Sequence, residues 1–182
     1  MSAEELALLI FRSLDRWGKV EVDGLGVFRK DDSGRISLGE SNRSRVFIAY
    51  AAEDAAPAER LCADLEDRGF APWLDRRRLL PGQNWPRRIQ EAIENADYFV
   101  ACFSKSSVGK RGGFQAEIRY ALDCARRVPL DDLFLIPVRL DACRVPARIT
   151  RETQYVDLFP DWSAGLERVA AAIEGQRRLK IA

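Results

Sequence analysis

Along the first seventeen residues the apolar positions Leu6, Leu9, Ile10, Leu14 and Trp17 recur at helical spacing, which predicts an amphipathic helix over 1–17. Ser2, with Glu5 three positions later, has the spacing of a capping box that satisfies otherwise unpaired N–H groups at a helix start. Gly18 ends the run. The period then shortens: KVEV and GVFRK are extended runs separated by Asp23-Gly24, and GRISL follows a second turn signal at Asp31-Asp32-Ser33-Gly34. A helix plus a two- or three-stranded ribbon of about 40 residues cannot bury much core alone. It is expected to pack on the rest of the chain or on a copy of itself. Residues 41–44, in a polar stretch without periodicity, form the expected linker.

From Arg45 onward strands alternate with helices. RVFIAY is a continuous β-branched and aromatic run, and Asp54 stands where it would cap a helix reaching about Arg68. FAPWL predicts a second strand, the loop DRRRLLPGQ follows, and a helix capped by Asn84 carries Pro86 in its first turn with Ile89 and Ile93 inward. DYFVACF is apolar throughout, as a strand covered on both faces must be. A helix from Phe114 to Arg127, the strand DLFLIPVRL, a short strand QYVDL and a helix from Ser163 to Gly175 complete the pattern. Short-looped β-α repeats imply a parallel sheet wrapped by helices, because parallel strands need crossover connections. The expected fold class is α/β: five strands in flavodoxin-like order over 45–176, an N-terminal helix and ribbon over 1–40, and a tail over 177–182.

Charge and composition narrow the chemistry. Twenty-nine basic against 28 acidic residues leave a net of +1, which argues against a protein whose main task is neutralising nucleic-acid phosphates. No apolar run approaches the roughly 18 residues that span a bilayer. Acids stand at the N-terminus where a secretory signal has its basic region, so a cytoplasmic protein is expected. There is no histidine, which excludes Ser-His-Asp, Cys-His and HExxH chemistry within this chain. Cys62, Cys102, Cys124 and Cys143 form no CxxC pair, so no metal site is expected. Catalysis would fall to carboxylates, hydroxyls, arginines and backbone groups.

In such a sheet ligands bind beyond the carboxyl ends of the strands, where strand order reverses. The segments leaving those ends are Tyr50 to Asp54, Asp75 to Asn84 and Ser104 to Gly113. At about 100° per residue, Phe114, Ile118, Ala121, Leu122 and Ala125 form one stripe of the following helix. Glu117 falls on the stripe's edge, and Arg119, Asp123, Arg126 and Arg127 fall on the far side. A carboxylate half out of water has its charged form disfavoured, which suits it to act as base or nucleophile. A flanking glutamate paired with an arginine is the plainer alternative, and spacing alone leaves both open. Arg76-Arg77-Arg78 could grip phosphates or simply be solvated, and Trp73 and Trp85 could stack on a base or pack in the core. Gly109, Gly112 and Gly113 form neither GxGxxG nor a phosphate-cradling loop.

Four blocks, RVFIAYAAED, GFAPWLD with LLPGQNW, IENADYFVACFSKSSV and GGFQAEIRYAL, resemble in order and spacing the motifs of a bacterial TIR (Toll/interleukin-1 receptor) domain. The resemblance covers about Arg45 to Gly175. It implies the flavodoxin-like fold and either of two roles: an adaptor that signals by TIR–TIR self-association, or an enzyme that cleaves the N-glycosidic bond of NAD, many bacterial members acting in antiphage defence. On the enzymatic role, Glu117 matches the catalytic glutamate. Tyr50, Ala51 and Ala52, then Asp75, Arg77 and Leu80 in the second loop, with Ser104 and Phe114, become the candidate NAD contacts. NAD is then a substrate, and no cofactor is implied. Homo-oligomerisation, or association with another TIR or defence protein, is the expected partnership. Two departures stand out: alanines at 49 and 51 replace the usual small hydroxyl residues, and Gly113 occupies a position where some enzymatic members carry tryptophan. VEVDGLGVFRK resembles the glycine-containing ribbon of HU-type histone-like proteins, but residues 1–44 carry 7 basic and 8 acidic side chains. That balance speaks against DNA binding and for an assembly or sensing element.

Overall fold

The computed structural model describes all residues except 1–2, 23–25, 32, 40–42, 75–83, 130–131 and 182, and omits the side chains of 3, 21, 39, 85 and 177–181. Two compact units emerge, Met1–Arg43 and Ser44–Ala182.

The first unit is a helix, α1 (Ala3–Trp17), followed by the antiparallel strands β1 (Lys19–Val22), β2 (Gly26–Lys30) and β3 (Ile36–Gly39) in the order β1-β2-β3. The capping-box residue Ser2 lies outside the described residues. The turn into β3 is set by Asp31, whose carboxylate accepts from the Ser33 and Arg35 backbone N–H groups at 3.0 and 2.9 Å. Ile10, Leu14 and Val27 are buried. Leu9 and Trp17, which share the helical spacing of Ile10 and Leu14, are 52% and 65% exposed. Leu9 lies about 100° around the helix from Ile10, and Trp17 ends the helix with the Arg16 guanidinium 5.3 Å over its ring.

The second unit runs β4 (Arg45–Ala49), a 3-10 turn (Ala52–Asp54), α2 (Ala55–Asp67), β5 (Ala71–Leu74), α3 (Trp85–Glu94), β6 (Tyr98–Phe103), α4 (Gly113–Ala125), β7 (Leu135–Arg139), α5 (Ala147–Thr150), β8 (Val156–Asp157) and α6 (Trp162–Ile181). All five strands are parallel in the order β5-β4-β6-β7-β8, the expected flavodoxin-like arrangement. Two details differ from the sequence pattern. The four-residue α5 has no periodic signature at that length, and the last helix continues through Ile181, so the segment set apart as a tail extends α6.

Side-chain alternation along the strands builds two cores. Val46, Ile48, Tyr98, Val100 and Cys102 join Leu61, Leu65, Val169 and Ile173 of α2 and α6 on one face. Phe47, Phe99, Ala101 and Phe103 join Ile93, Phe114, Ile118 and Ala121 of α3 and α4 on the other. Phe47 stacks between Trp73 and Phe99, with ring centroids at 4.8 and 5.2 Å. Burying such a ring contributes about 1.5–3 kcal/mol. Asn84 does cap α3, its side chain accepting from the Arg87 N–H at 3.3 Å. Gly165 lets α6 approach β8, since a Cβ there would stand 2.2 Å from the Asp157 carbonyl oxygen. The short β7–β8 pairing is closed by Arg139, which grips Asp157 with two N–H groups at 2.5 and 2.8 Å.

Candidate functional site

Strand order reverses between β4 and β6: β5 lies beyond the first and β7 beyond the second. The segments leaving these two strands therefore face one another at the switch point. Asp54 joins them. It stands where α2 begins, yet its side chain makes no cap bond. Instead it turns inward, 7% exposed, and accepts from the Ser104 hydroxyl at 2.7 Å. The expectation of an Asp54 cap is thereby corrected: a bond across the crevice has replaced one to the helix. Burial pushes the Asp54 carboxyl above its ordinary range, while the Ser104 hydrogen bond pulls it down.

The same serine organises the loop after β6. Its hydroxyl accepts from the Ser107 N–H at 3.1 Å, and its own N–H donates to the Ser107 hydroxyl at 2.8 Å. Lys105 donates its backbone N–H to both Asp141 carboxylate oxygens, at 3.0 and 3.1 Å, and Lys110 pairs with Glu53. Gln115, in the first turn of α4, reaches back to the Ser107 carbonyl at 3.3 Å. Gly112 enters the helix at φ 145° and ψ −163°, a region closed to side chains. Phe114 then seats the helix by packing its ring edge-on against Phe103 at 5.6 Å.

Ile118 and Ala121 are buried, Arg119, Asp123, Arg126 and Arg127 are exposed, and Glu117 is half-buried between them. Its Oε1 turns back along the helix, 3.7 Å from where a Cβ on Gly113 would be. A half-buried carboxylate at a helix edge is of the kind that can face a developing cation or accept a proton from water.

The family model for the TIR domain matches residues 46–170. The chain belongs to the TIR domain family. A curated relative, the uncharacterized protein y4cD of Sinorhizobium fredii, is 26% identical over 117 residues, covering 64% of this chain. The chain spans only 18% of that relative's length. Among solved structures, the TIR domain of the Toll-related receptor TRR-2 from Hydra magnipapillata is similar at a TM-score of 0.55 and 22% identity, over 73% of this chain and 94% of that one. A TIR-STING receptor from C. gigas, solved in complex with 2',3'-cGAMP, is similar at a TM-score of 0.57 and 21% identity, over 70% of this chain and 38% of that one. These two likenesses bear on the fold.

In this TIR domain the expected contact residues have different fates. Tyr50 and Ala51 are buried and Ala52 is exposed at the end of β4, next to the Asp54 bridge. Ser104 is 3% exposed, with its hydroxyl engaged by both Asp54 and Ser107, and Phe114 is buried against Phe103. Asp75, Arg77 and Leu80 lie outside the described residues. Sequence reading missed Asp54, Glu53, Lys110 and Asp141. Nothing in the spacing separates a capping aspartate from one that bridges two loops.

A separate cleft of about 790 Å³ lies at the other end of the sheet. It runs between the C-terminal end of α4, the start of β7 and α6, where the two-residue β8 leaves the first half of β7 uncovered. It contains none of the expected site residues. Of its two acids, Glu152 is exposed and the half-buried Asp132 accepts from the Gln176 side chain at 3.0 Å. Among the described residues no cluster of cysteine and carboxylate side chains is placed to hold a metal ion, and no helix is long and apolar enough to cross a membrane.

Proposed function

We propose that this TIR domain cleaves the bond between nicotinamide and ribose in NAD, giving ADP-ribose or a cyclic ADP-ribose isomer, in bacterial antiphage defence or signalling. The observation that carries the reading is Glu117: a half-buried carboxylate on α4, the helix that follows the loop after β6, with its Oε1 turned toward Gly113 in the first turn. Family membership supports it, as does the resemblance of GGFQAEIRYAL to the segment that carries the catalytic glutamate in NAD-cleaving members.

The chemistry suits a chain without histidine. As the glycosidic bond breaks, its electron pair moves to the cationic pyridinium nitrogen, so nicotinamide leaves neutral and needs no acid. Positive charge builds on the ribose, and the Glu117 carboxylate faces it. Water, or an internal hydroxyl in the cyclising reaction, then attacks the same carbon and gives up its proton to Glu117. The backbone at Tyr50 to Ala52 and the second loop with Asp75, Arg77 and Leu80 would hold the dinucleotide, with Phe114 and Ser104 forming the wall behind it. TIR–TIR association would complete the site.

Incubating the purified chain with NAD at high concentration and resolving the products tests this reading. Nicotinamide released in step with ADP-ribose or its isomer, and lost in Glu117→Gln, is the expected result. An inert chain that still associates with another TIR protein would establish the adaptor role instead. The concentration of exposed large apolar side chains in residues 1–43 is the observation that favours that second reading.

A further inference from the structure

We infer that Asp54 is a positioning residue for the reaction: by holding Ser104 it fixes the loop over 104–112 and the first turns of α4, and so sets where the Glu117 carboxylate stands. The inference builds on the NAD-cleaving reading. Its structural half can be tested without that reading.

Asp54 has given up something to do this. An aspartate at a helix start ordinarily satisfies an orphan N–H, but the side chain of Asp54 makes no cap bond and α2 starts without one. Its carboxylate is instead more than nine-tenths buried, a costly place for an acid, with the Ser104 hydroxyl at 2.7 Å. The groups facing it do little to compensate. Glu53 and Asp141 add negative charge, Cys102 is a neutral buried thiol, and Lys110, paired with Glu53, offsets them only weakly. A group held against that cost is one whose hydrogen bond does a job at that place.

The contacts lead from Asp54 to Gln115 in the first turn of α4. Ser104 accepts from the Ser107 N–H at 3.1 Å, the Ser107 carbonyl accepts from Gln115 at 3.3 Å, and Gln115 stands two residues before Glu117 on α4. Glu53 to Lys110 and Asp141 to Lys105 pin the same loop from either side. All three anchors come from the carboxyl ends of the two strands that flank β6, two after β4 and one after β7. Asp54 is the buried one. A loosened loop would leave α4 helical but free its first turns, which carry Glu117, to shift, and a displacement of about 1 Å at a reacting group can cost a hundredfold in rate.

The test compares Asp54→Ala, Asp54→Asn and Ser104→Ala in the full chain, below the melting temperature of each. Asp54→Ala and Ser104→Ala should lower kcat by about tenfold to a hundredfold while KM moves less than about threefold. Asp54→Asn keeps an oxygen for the Ser104 hydroxyl and should restore kcat to within about threefold of wild type. Hydrogen exchange supplies the readout that needs no activity. Amides over 104–117 should exchange faster in both truncations than in wild type or Asp54→Asn, with the strands unchanged. If Asp54→Ala fails to fold, Ser104→Ala poses the same question from the other end of the bond. Wild-type kcat together with wild-type exchange in the truncations overturns the inference, and so does a loss of kcat that asparagine fails to rescue. If wild type releases no nicotinamide, the NAD reading falls, and exchange over 104–117 then decides the positioning role by itself.

Discussion

The Oε1 of Glu117 stands 3.7 Å from the point that a Cβ on Gly113 would occupy, one helical turn back along α4. The carboxylate thus leans toward the start of its helix. Glu117→Gln retains size and hydrogen-bonding reach but removes the charge. Nicotinamide release should fall by at least about a hundredfold, as when a preorganised electrostatic group is removed. Glu174→Gln, at an exposed position on α6, serves as the control. Cleavage at the wild-type rate in Glu117→Gln would end the catalytic assignment.

The two glycines opening α4 should respond in opposite directions. Gly113 is helical, and an added Cβ would meet Glu117 at ordinary contact distance, so Gly113→Ala should stabilise the protein by about 0.5–1 kcal/mol. Gly112 holds a backbone conformation that side chains do not adopt, so Gly112→Ala should destabilise by about 1–3 kcal/mol. Denaturant midpoints of the two variants check both signs.

The apolar rhythm of the chain foretold the sheet well. Continuous runs such as YFVACF can be buried only with helices on both faces, and the Asn84 cap and Pro86 mark α3 in the sequence itself. Glu117 was legible too, because 100° steps along a helix fix which residues lie on its edge. Long-range polar partners were not legible. Asp54 and Ser104 are 50 residues apart, and an aspartate before a helix looks the same whether it caps or bridges. The short β8 was legible within QYVDL, whereas α5 was not, since four residues are too few to show a period.

Asp54 gives a pH dependence of stability with a definite sign. Burial raises its folded-state pKa, so the folded protein holds that proton more tightly than the unfolded chain does. The resulting stability is complete below the unfolded value of about 3.9 and is lost as pH rises through the folded-state pKa. At neutral pH the ionised carboxylate is a net cost. Asp54→Asn should therefore melt above wild type at pH 7, with the advantage vanishing below about pH 3.9. Ser104→Ala strands the carboxylate and should cost about 1–3 kcal/mol at neutral pH. Thermal melts of the two variants across pH 3 to 8 test the sign, and a pH-independent difference between Asp54→Asn and wild type would contradict it.

Among the described residues every large hydrophobic side chain that is exposed, Leu8, Leu9, Phe11, Trp17, Ile36 and Leu38, belongs to the 43-residue N-terminal unit. Phe11 and Ile36 also line an apolar groove of about 370 Å³ together with Leu6, Ile10, Leu14 and Phe28. A patch of this kind, on so small a unit, ordinarily marks a surface that another surface covers. The charges of that unit nearly cancel, 7 basic against 8 acidic, so electrostatic repulsion does not oppose its pairing with a copy of itself. The double substitution Leu8→Gln and Phe11→Gln changes only exposed positions of α1, so helix content by circular dichroism should be kept. If the patch drives self-association, the variant should sediment at a lower average mass than wild type at equal concentration. Where turnover depends on assembly, its nicotinamide release per chain should fall, and fall most at low protein concentration. Equal mass and equal turnover across the whole concentration range would show that the N-terminal unit has no part in assembly, and that its apolar face serves some other contact.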